Sequence, residues 1–354
     1  MIKLLQPLMP TTDDLIPYLR KIDQNKIYVN NGPLVRQLEE KLEEITGASC
    51  VALANGTLAL ELAIKSSSIN SKKFLSSISI PALTFVATGL ASHRLGFNVD
   101  LCDIDSESWQ LTPEIVKERG VDTSMVIPVA TFGRAVDVRL WEGYDKPVVI
   151  DSAGAFLSQR ISRDKNITTC FSLHATKFIG CGEGGFVASE DQRAIERIRS
   201  LAMFGAGGTN AKMSEYHASV ALASLDEKFL SAKFDKTEKV ANWYLQALYE
   251  YLPNCVHSDL NQNTTLLNVL LPVYADTVIE RLKDYYIESK QWYRPYLNEL
   301  CEFTAFSHET KEYLIQRLPV TNHLRGHLIG LPFHTFLTKD DVFHICKTLR
   351  KLIK

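Results

Sequence analysis

No apolar run in this chain approaches the roughly 18 residues that a membrane-spanning helix needs, and no dense run of lysine and arginine marks a polyanion-binding face. The formal charge is only −2 over 354 residues, so nothing points to a nucleic-acid partner. The seven cysteines, at 50, 102, 170, 181, 255, 301 and 346, are scattered and odd in number. They show neither a disulfide framework nor metal-ligand spacing, a pattern suited to reduced thiols. Internal repeats and low-complexity tracts are missing as well. The first residues, Met1 to Pro10, carry one lysine and two prolines without an apolar core, so they do not read as a signal peptide. These absences predict a cytoplasmic protein with no membrane, metal or nucleic-acid partner.

What is present is an ordinary globular composition, 45% apolar and 23% charged, long enough for about two domains. From about residue 30 to 225 short apolar runs alternate with helical periodicity, the mark of an α/β layer with a mostly parallel sheet. Val35 to Ile45 reads as a helix, Cys50 to Ala54 as a strand, and Leu58 to Lys65 as the next helix. Further strands are expected over Phe74 to Ile80, Val99 to Asp103, Met125 to Val129, Pro147 to Asp151 and Cys170 to Leu173. After about Leu225 long amphipathic segments take over, Lys233 to Tyr251 and Val278 to Lys290, with apolar pieces at Leu266 to Val273 and Leu328 to Phe333. The reading is a large α/β domain over 26–230 and a smaller α+β domain over 231–354, with residues 1–25 packing on the latter.

Lys177 stands between the short apolar strand ending near Leu173 and the glycine-dense turn Gly180-Cys181-Gly182-Glu183-Gly184-Gly185. Partial desolvation there lowers an amine's pKa and frees its lone pair for a Schiff base with an aldehyde cofactor. The bland alternative is a surface lysine before a tight turn. Gly180, Gly182 and Gly185 also satisfy the G-x-G-x-x-G dinucleotide pattern. That fingerprint requires a helix opening on the glycines. Here a β-type segment, Phe186 to Ser189, follows them, and a helix begins only near Gln192, so the match is accidental. Cys181 in the turn is either a reactive thiol or a small space-filling residue.

Other residues build a constellation around that lysine. Asn55-Gly56-Thr57 forms a βα turn whose free amides and hydroxyl suit a phosphate, although an ordinary helix N-cap has the same composition. Asp151 ends an apolar strand and needs a cationic partner such as a protonated pyridine nitrogen; a helix cap or an ion pair is the alternative. Phe85 follows another strand and suits either a flat ring or the core, and Ser172 offers a hydroxyl to a phosphate. Phosphate cradle, ring stacker, carboxylate and lysine, in chain order, fit one ligand: pyridoxal 5′-phosphate.

From about Asn30 onward the chain also resembles a known family, the sugar aminotransferases of the DegT/DnrJ/StrS group. These are fold-type I pyridoxal-phosphate enzymes of the aspartate aminotransferase fold. The resemblance is carried by Asn31-Gly32-Pro33, Ala54 to Leu60, Pro81 to Thr88, Asp103-Ile104-Asp105, Ile150 to Ala153, Ser172 through Gly185, Asn210 to Glu215 and Gly330-Leu331-Pro332. It implies a large domain with a mostly parallel seven-stranded sheet. It further implies Lys177 as the Schiff-base lysine and general acid/base, Asp151 on the pyridine nitrogen, and Phe85 on the ring. Gly56, Thr57 and Ser172 would hold the phosphate, and Asn210 would reach the phosphate of the neighbouring subunit in a homodimer with shared active sites. Relatives that carry histidine in place of the lysine act as dehydratases, and Lys177 argues against that branch. One position departs from the pattern. Where the family has Gln or His near the cofactor's phenolic oxygen, this chain has Gly154, which leaves that contact to water or another side chain.

The implied partners are L-glutamate and a nucleotide-linked keto-deoxy sugar. Amination at C4 of dTDP-4-dehydro-6-deoxy-D-glucose is the expectation, because Ile287 to Tyr293 resembles a substrate-side region of 4-aminating members. Amination at C3 of a 3-keto sugar is the alternative. A cofactor-binding regulator without turnover is a reading from another class, and the retained lysine speaks against it.

Overall fold

Apolar runs bounded by turn residues supply strands, and runs of helical period supply the layers that cover them. The structure is a computed structural model that describes residues 1–68, 77–300 and 316–354. Its first half contains α1 (Thr12–Asn25), α2 (Pro33–Thr46), β1 (Ser49–Leu53), α3 (Gly56–Ser68), β2 (Ser77–Pro81), α4 (Val86–Arg94), β3 (Asn98–Cys102) and α5 (Pro113–Arg119). Then come β4 (Thr123–Val126), β5 (Val148–Asp151), β6 (Ile167–Ser172), β7 (Gly185–Ser189), α6 (Gln192–Ala202) and α7 (Glu215–Ser224). The C-terminal part is α8 (Glu227–Tyr251), β8 (Leu267–Leu270), α9 (Ala275–Lys283), α10 (Pro319–His327), β9 (Leu328–Leu331) and α11 (Lys339–Leu352).

Strands β1 to β7 form one seven-stranded sheet in the order β1-β7-β6-β5-β4-β2-β3. Its pairings are parallel from β3 through β6, and only β7 runs antiparallel to its neighbours β6 and β1. The carboxyl ends of β1, β2, β4, β5 and β6 therefore meet along one edge, joined by the start of β7. Such a sheet is buried on both faces, and alternate residues of each strand feed two cores. Val51, Leu53, Val149 and Val187 pack against α3 and α6, while Cys50, Ala52, Phe171 and Phe186 pack against α2 and α7. Phe171 and Phe186 are register partners whose rings stack with centroids 4.4 Å apart, a pair that contributes about 0.5–1.5 kcal/mol beyond its burial.

A second core gathers Val240, Tyr244 and Leu248 of α8 with Leu267 and Val269 of β8, Ile329 and Leu331 of β9, and Ile345 and Leu349 of α11. The helix α8 runs unbroken across position 230, with Leu230 and Phe234 against the sheet-side core and its later turns in the second one. The N-terminal segment divides between the two cores. Ile2 bridges to Ile287 and Lys3 pairs with Glu288, whereas Ile22 of α1 packs with Leu34 and Leu38 of α2.

Two expectations need correction. The amphipathic segment read over Val278 to Lys290 is helical only as far as Lys283. Tyr286 takes a left-handed φ of 57°, and Ile287 leaves as an extended residue paired with Ile2, a tertiary pairing that helical periodicity does not encode. The strand expected over Phe74 to Ile80 is Ser77–Pro81, with 74–76 outside the described residues, as is Cys301. No helix among the described residues is long and apolar enough to cross a membrane.

Candidate active site

The strand ends at the carboxyl edge open into a cavity of about 810 Å³, lined among others by Gly56, Thr57, Phe85, Asp151, Ser172 and Lys177. That volume suits a cofactor together with a substrate. Residues from five strand ends and from the C-terminal segment converge on it, as expected for ligand sites of open α/β sheets.

Asp151, the last residue of β5, is buried, with 6% of its surface exposed. No helix follows it, and it makes no ion pair among the described residues, so neither alternative role applies. Thr88 Oγ1 donates to its Oδ2 at 2.7 Å, and the Ala153 amide donates to Oδ1 at 3.2 Å. Thr84 Oγ1 lies 2.9 Å from Thr88 Oγ1, so with Thr88 donating to the carboxylate, Thr84 donates to Thr88. Burial pushes the Asp151 carboxyl above its ordinary range, against the pull of Thr88, Ala153 and the Lys177 charge. Burial also pushes the Lys177 amine below its ordinary value, opposed by Asp151. Burial thus disfavours the charged form of each group, and each charge favours the other.

In the same cavity, the first turn of α3 meets the end of β6. Asn55 caps the helix, its Oδ1 accepting the Leu58 amide at 2.9 Å and its carbonyl the Ala59 amide at 3.1 Å. The cap reading is therefore correct for Asn55. The Gly56 and Thr57 amides remain at the positive helix end. Ser172 Oγ accepts the His174 amide at 3.2 Å, which leaves the hydroxyl proton for another acceptor. A Cβ on Gly56 would stand 2.9 Å from the Ser172 Cβ, so only glycine lets amide and hydroxyl share one space. Gly185 is required for the same closeness, since a Cβ there would lie 2.6 Å from the Gly56 nitrogen.

Phe85 is 55% exposed although large and apolar, which rules out the core and turns it to the cavity. The described residues thus offer, around one cavity, an anion cradle, a carboxylate wanting a cation, an aromatic face and an amine. That donor set fits a planar phosphorylated pyridine aldehyde. Asn210 does not join it; it is exposed in its own chain, paired only through a bridge to Met203. Cys181 is buried and its thiol is pushed up to about 12, so it fills space. The glycines after Lys177 lead into β7 and not into a helix, which removes the dinucleotide reading. Sequence reasoning missed Thr88, inside α4 and four residues after Thr84, and it named Tyr293 only as the end of a substrate-side segment, with no role of its own.

Known proteins agree with this geometry. Residues 11–350 match the model of the DegT/DnrJ/EryC1/StrS aminotransferase family. The chain is 25% identical to the dTDP-4-amino-4,6-dideoxy-D-glucose transaminase of Shigella dysenteriae, covering 98% of both chains. It is also 25% identical to the UDP-2-acetamido-2-deoxy-3-oxo-D-glucuronate aminotransferase of Pseudomonas aeruginosa, over 90% of each. Among solved structures, DesI determined in the presence of its TDP-sugar product superposes with a TM-score of 0.84 at 26% identity, covering 99% of this chain and 92% of that one. The chain belongs to the DegT/DnrJ/EryC1/StrS aminotransferase family, whose fold and pyridoxal-phosphate dependence it shares.

Proposed function

We propose that this protein moves an amino group from L-glutamate to a nucleotide-linked keto-deoxy sugar, with dTDP-4-dehydro-6-deoxy-D-glucose as acceptor and C4 as the position aminated. The observation that carries the reading is the convergence of Asp151, Lys177 and an anion cradle in one cavity. Pyridoxal 5′-phosphate, when bound, supplies an electron sink for the carbon that gives up and takes back a proton. Asp151 holds the pyridine nitrogen protonated, and Thr88 and Thr84 hold Asp151 in place. Phe85 stacks on the ring, and Gly56, Thr57 and Ser172 bind the phosphate. Among the described residues Lys177 is the one lysine lining the cavity, and its depressed basicity suits it to anchor the cofactor and to carry a proton to and from the substrate carbon. In a homodimer with shared active sites, Asn210 reaches the phosphate of the neighbouring subunit; its exposure away from its own cavity supports that role.

Relatives that act on dTDP-4-amino sugars favour C4, and the Pseudomonas aeruginosa relative, which acts on a 3-oxo sugar, keeps C3 amination as the second reading. The test is the absorption spectrum of the purified protein, titrated with L-glutamate and then with the dTDP-4-keto-6-deoxy sugar. Loss of the cofactor's visible band with glutamate and its return with the sugar is expected. Loss without return keeps the transaminase and rejects this sugar. A band indifferent to glutamate leaves the regulator without turnover.

A further inference from the structure

Gly154 leaves an empty place in the cavity wall. The loops after β4 and β5 meet there backbone to backbone: a Cβ on Gly133 would stand 3.1 Å from the Gly154 carbonyl oxygen, and Gly133 has a φ of +89°. Neither loop offers a side-chain donor at that point. The space beside them is taken by Tyr293, from the segment after α9. Its ring stacks on Phe132 with centroids 5.1 Å apart at 24° and meets the edge of Phe85 at 6.3 Å. Its hydroxyl oxygen accepts the Phe132 amide at 3.2 Å. Burial, reinforced by the Asp151 charge, holds the phenol protonated. A phenol whose oxygen is already an acceptor keeps one proton to donate, and no described residue receives it.

Connectivity says where that proton goes. The phosphate cradle lies at the ends of β1 and β6, on one side of Asp151 in β5, while Gly133 and Tyr293 lie on the other, next to β4. On a pyridoxal ring the phosphate arm and the phenolic oxygen flank the aldehyde carbon on opposite sides. With the phosphate at β1 and β6, the oxygen turns toward β4. We infer that Tyr293 donates its hydroxyl proton to the cofactor's phenolic oxygen, the contact that a side chain at position 154 does not make here. The inference rests on the cavity being the cofactor site and deepens that reading.

The test uses the holoenzyme without substrates and reads the pH at which the visible band of the bound cofactor titrates. A donor stabilises the anionic oxygen, which belongs to the deprotonated form, so losing the donor raises the midpoint. Tyr293→Phe is expected to move it up by about one pH unit and to speed cofactor release. A Cβ at position 154 meets only the Gly133 backbone at 3.5 Å, ordinary contact, so the backbone there admits a side chain. The double variant Tyr293→Phe/Gly154→Gln is expected to return the midpoint toward the wild-type value. An unchanged midpoint in Tyr293→Phe with the cofactor still bound overturns the inference, and a raised KM alone would then assign the phenol to the substrate. Should Tyr293→Phe not fold, Gly154→Gln alone decides. With Tyr293 already donating, its midpoint stays near that of the wild type; a drop of about one unit shows an oxygen without a donor and overturns the inference. Failure of the underlying site reading is distinct: Lys177→Ala would then leave the visible band of the wild type unaltered.

Discussion

Two buried carboxylates, one behind the sheet and one at its edge, are held by opposite means. Glu215 in α7 is 1% exposed, and its two oxygens accept the Leu34 and Val35 amides at 2.8 and 3.0 Å, closing the positive N-terminus of α2. Nearby, Glu39 takes both oxygens to Arg199 at 2.8 Å and receives the Ala52 amide. Asp151 has two neutral donors and no cation in contact. Burial of a carboxylate is thus no sign of function by itself. A carboxylate met by a helix end or a guanidinium is structural, and one left short of positive charge is waiting for a ligand.

Substitutions break that contrast in order of expected effect. Lys177→Ala should lower turnover by at least about 10²–10⁴-fold while circular dichroism and thermal melting report an intact fold. A melt that collapses with the activity would make the lysine structural. Next, Asp151→Asn and Glu215→Ala should trade places. The first is expected to lose turnover yet leave the cofactor-free protein as stable as before or more so, because a buried unpaired charge is removed. The second should lose about 2 kcal/mol in urea unfolding, by stripping the cap from α2, with kcat unchanged. Equal behaviour of the two variants in both assays would erase the distinction.

Thr88→Val sharpens the contrast on a smaller scale. It removes the hydroxyl that lowers the Asp151 carboxyl against its burial. That carboxyl should rise further, moving the acid limb of cofactor binding to higher pH by up to about one unit. An acid limb in the same place would show that Thr88 only packs. A last case is confined to alkaline pH and leaves the site untouched: Lys233 is a buried cation whose amine donates to the Leu8 carbonyl at 3.0 Å. Burial pushes it from 10.5 down to about 8. In that window the unfolded chain keeps a proton that the folded chain has lost, so stability rises with pH from about 8 to 10.5. Below it, both states are protonated and the burial penalty is constant. Lys233→Met should flatten a rise of roughly 3 kcal/mol, read from melting curves across that range.

Much of this architecture was legible along the chain. Runs such as Val148-Val149-Ile150 are apolar and β-branched because both faces of a parallel sheet are buried, and that leaves a local pattern. Lys177 and Asp151 stood out because each closes or follows such a run. Thr88 did not, since a threonine in a helix carries no local mark of the carboxylate it approaches, and Tyr293 stood out only within a substrate-side segment, with no local mark of the rings it meets. The amphipathic segment read to Lys290 is not helical to its end for a related reason: the spacing continues where pairing of Ile287 with Ile2 pulls the backbone out.

The sequence alone determined the order of strands and helices, the position of the lysine and the strand-end aspartate, and the glycines that let β1, β6 and β7 approach. Those properties follow from periodicity, backbone sterics and residue chemistry over a few neighbouring positions. Only the tertiary structure decided that Phe85 faces a cavity, that Asp151 is met by Thr88 and by no cation, and that a tyrosine 139 positions beyond Gly154 fills the room left there. Desolvation and hydrogen-bond partners belong to three-dimensional neighbours, and so do the charges they set.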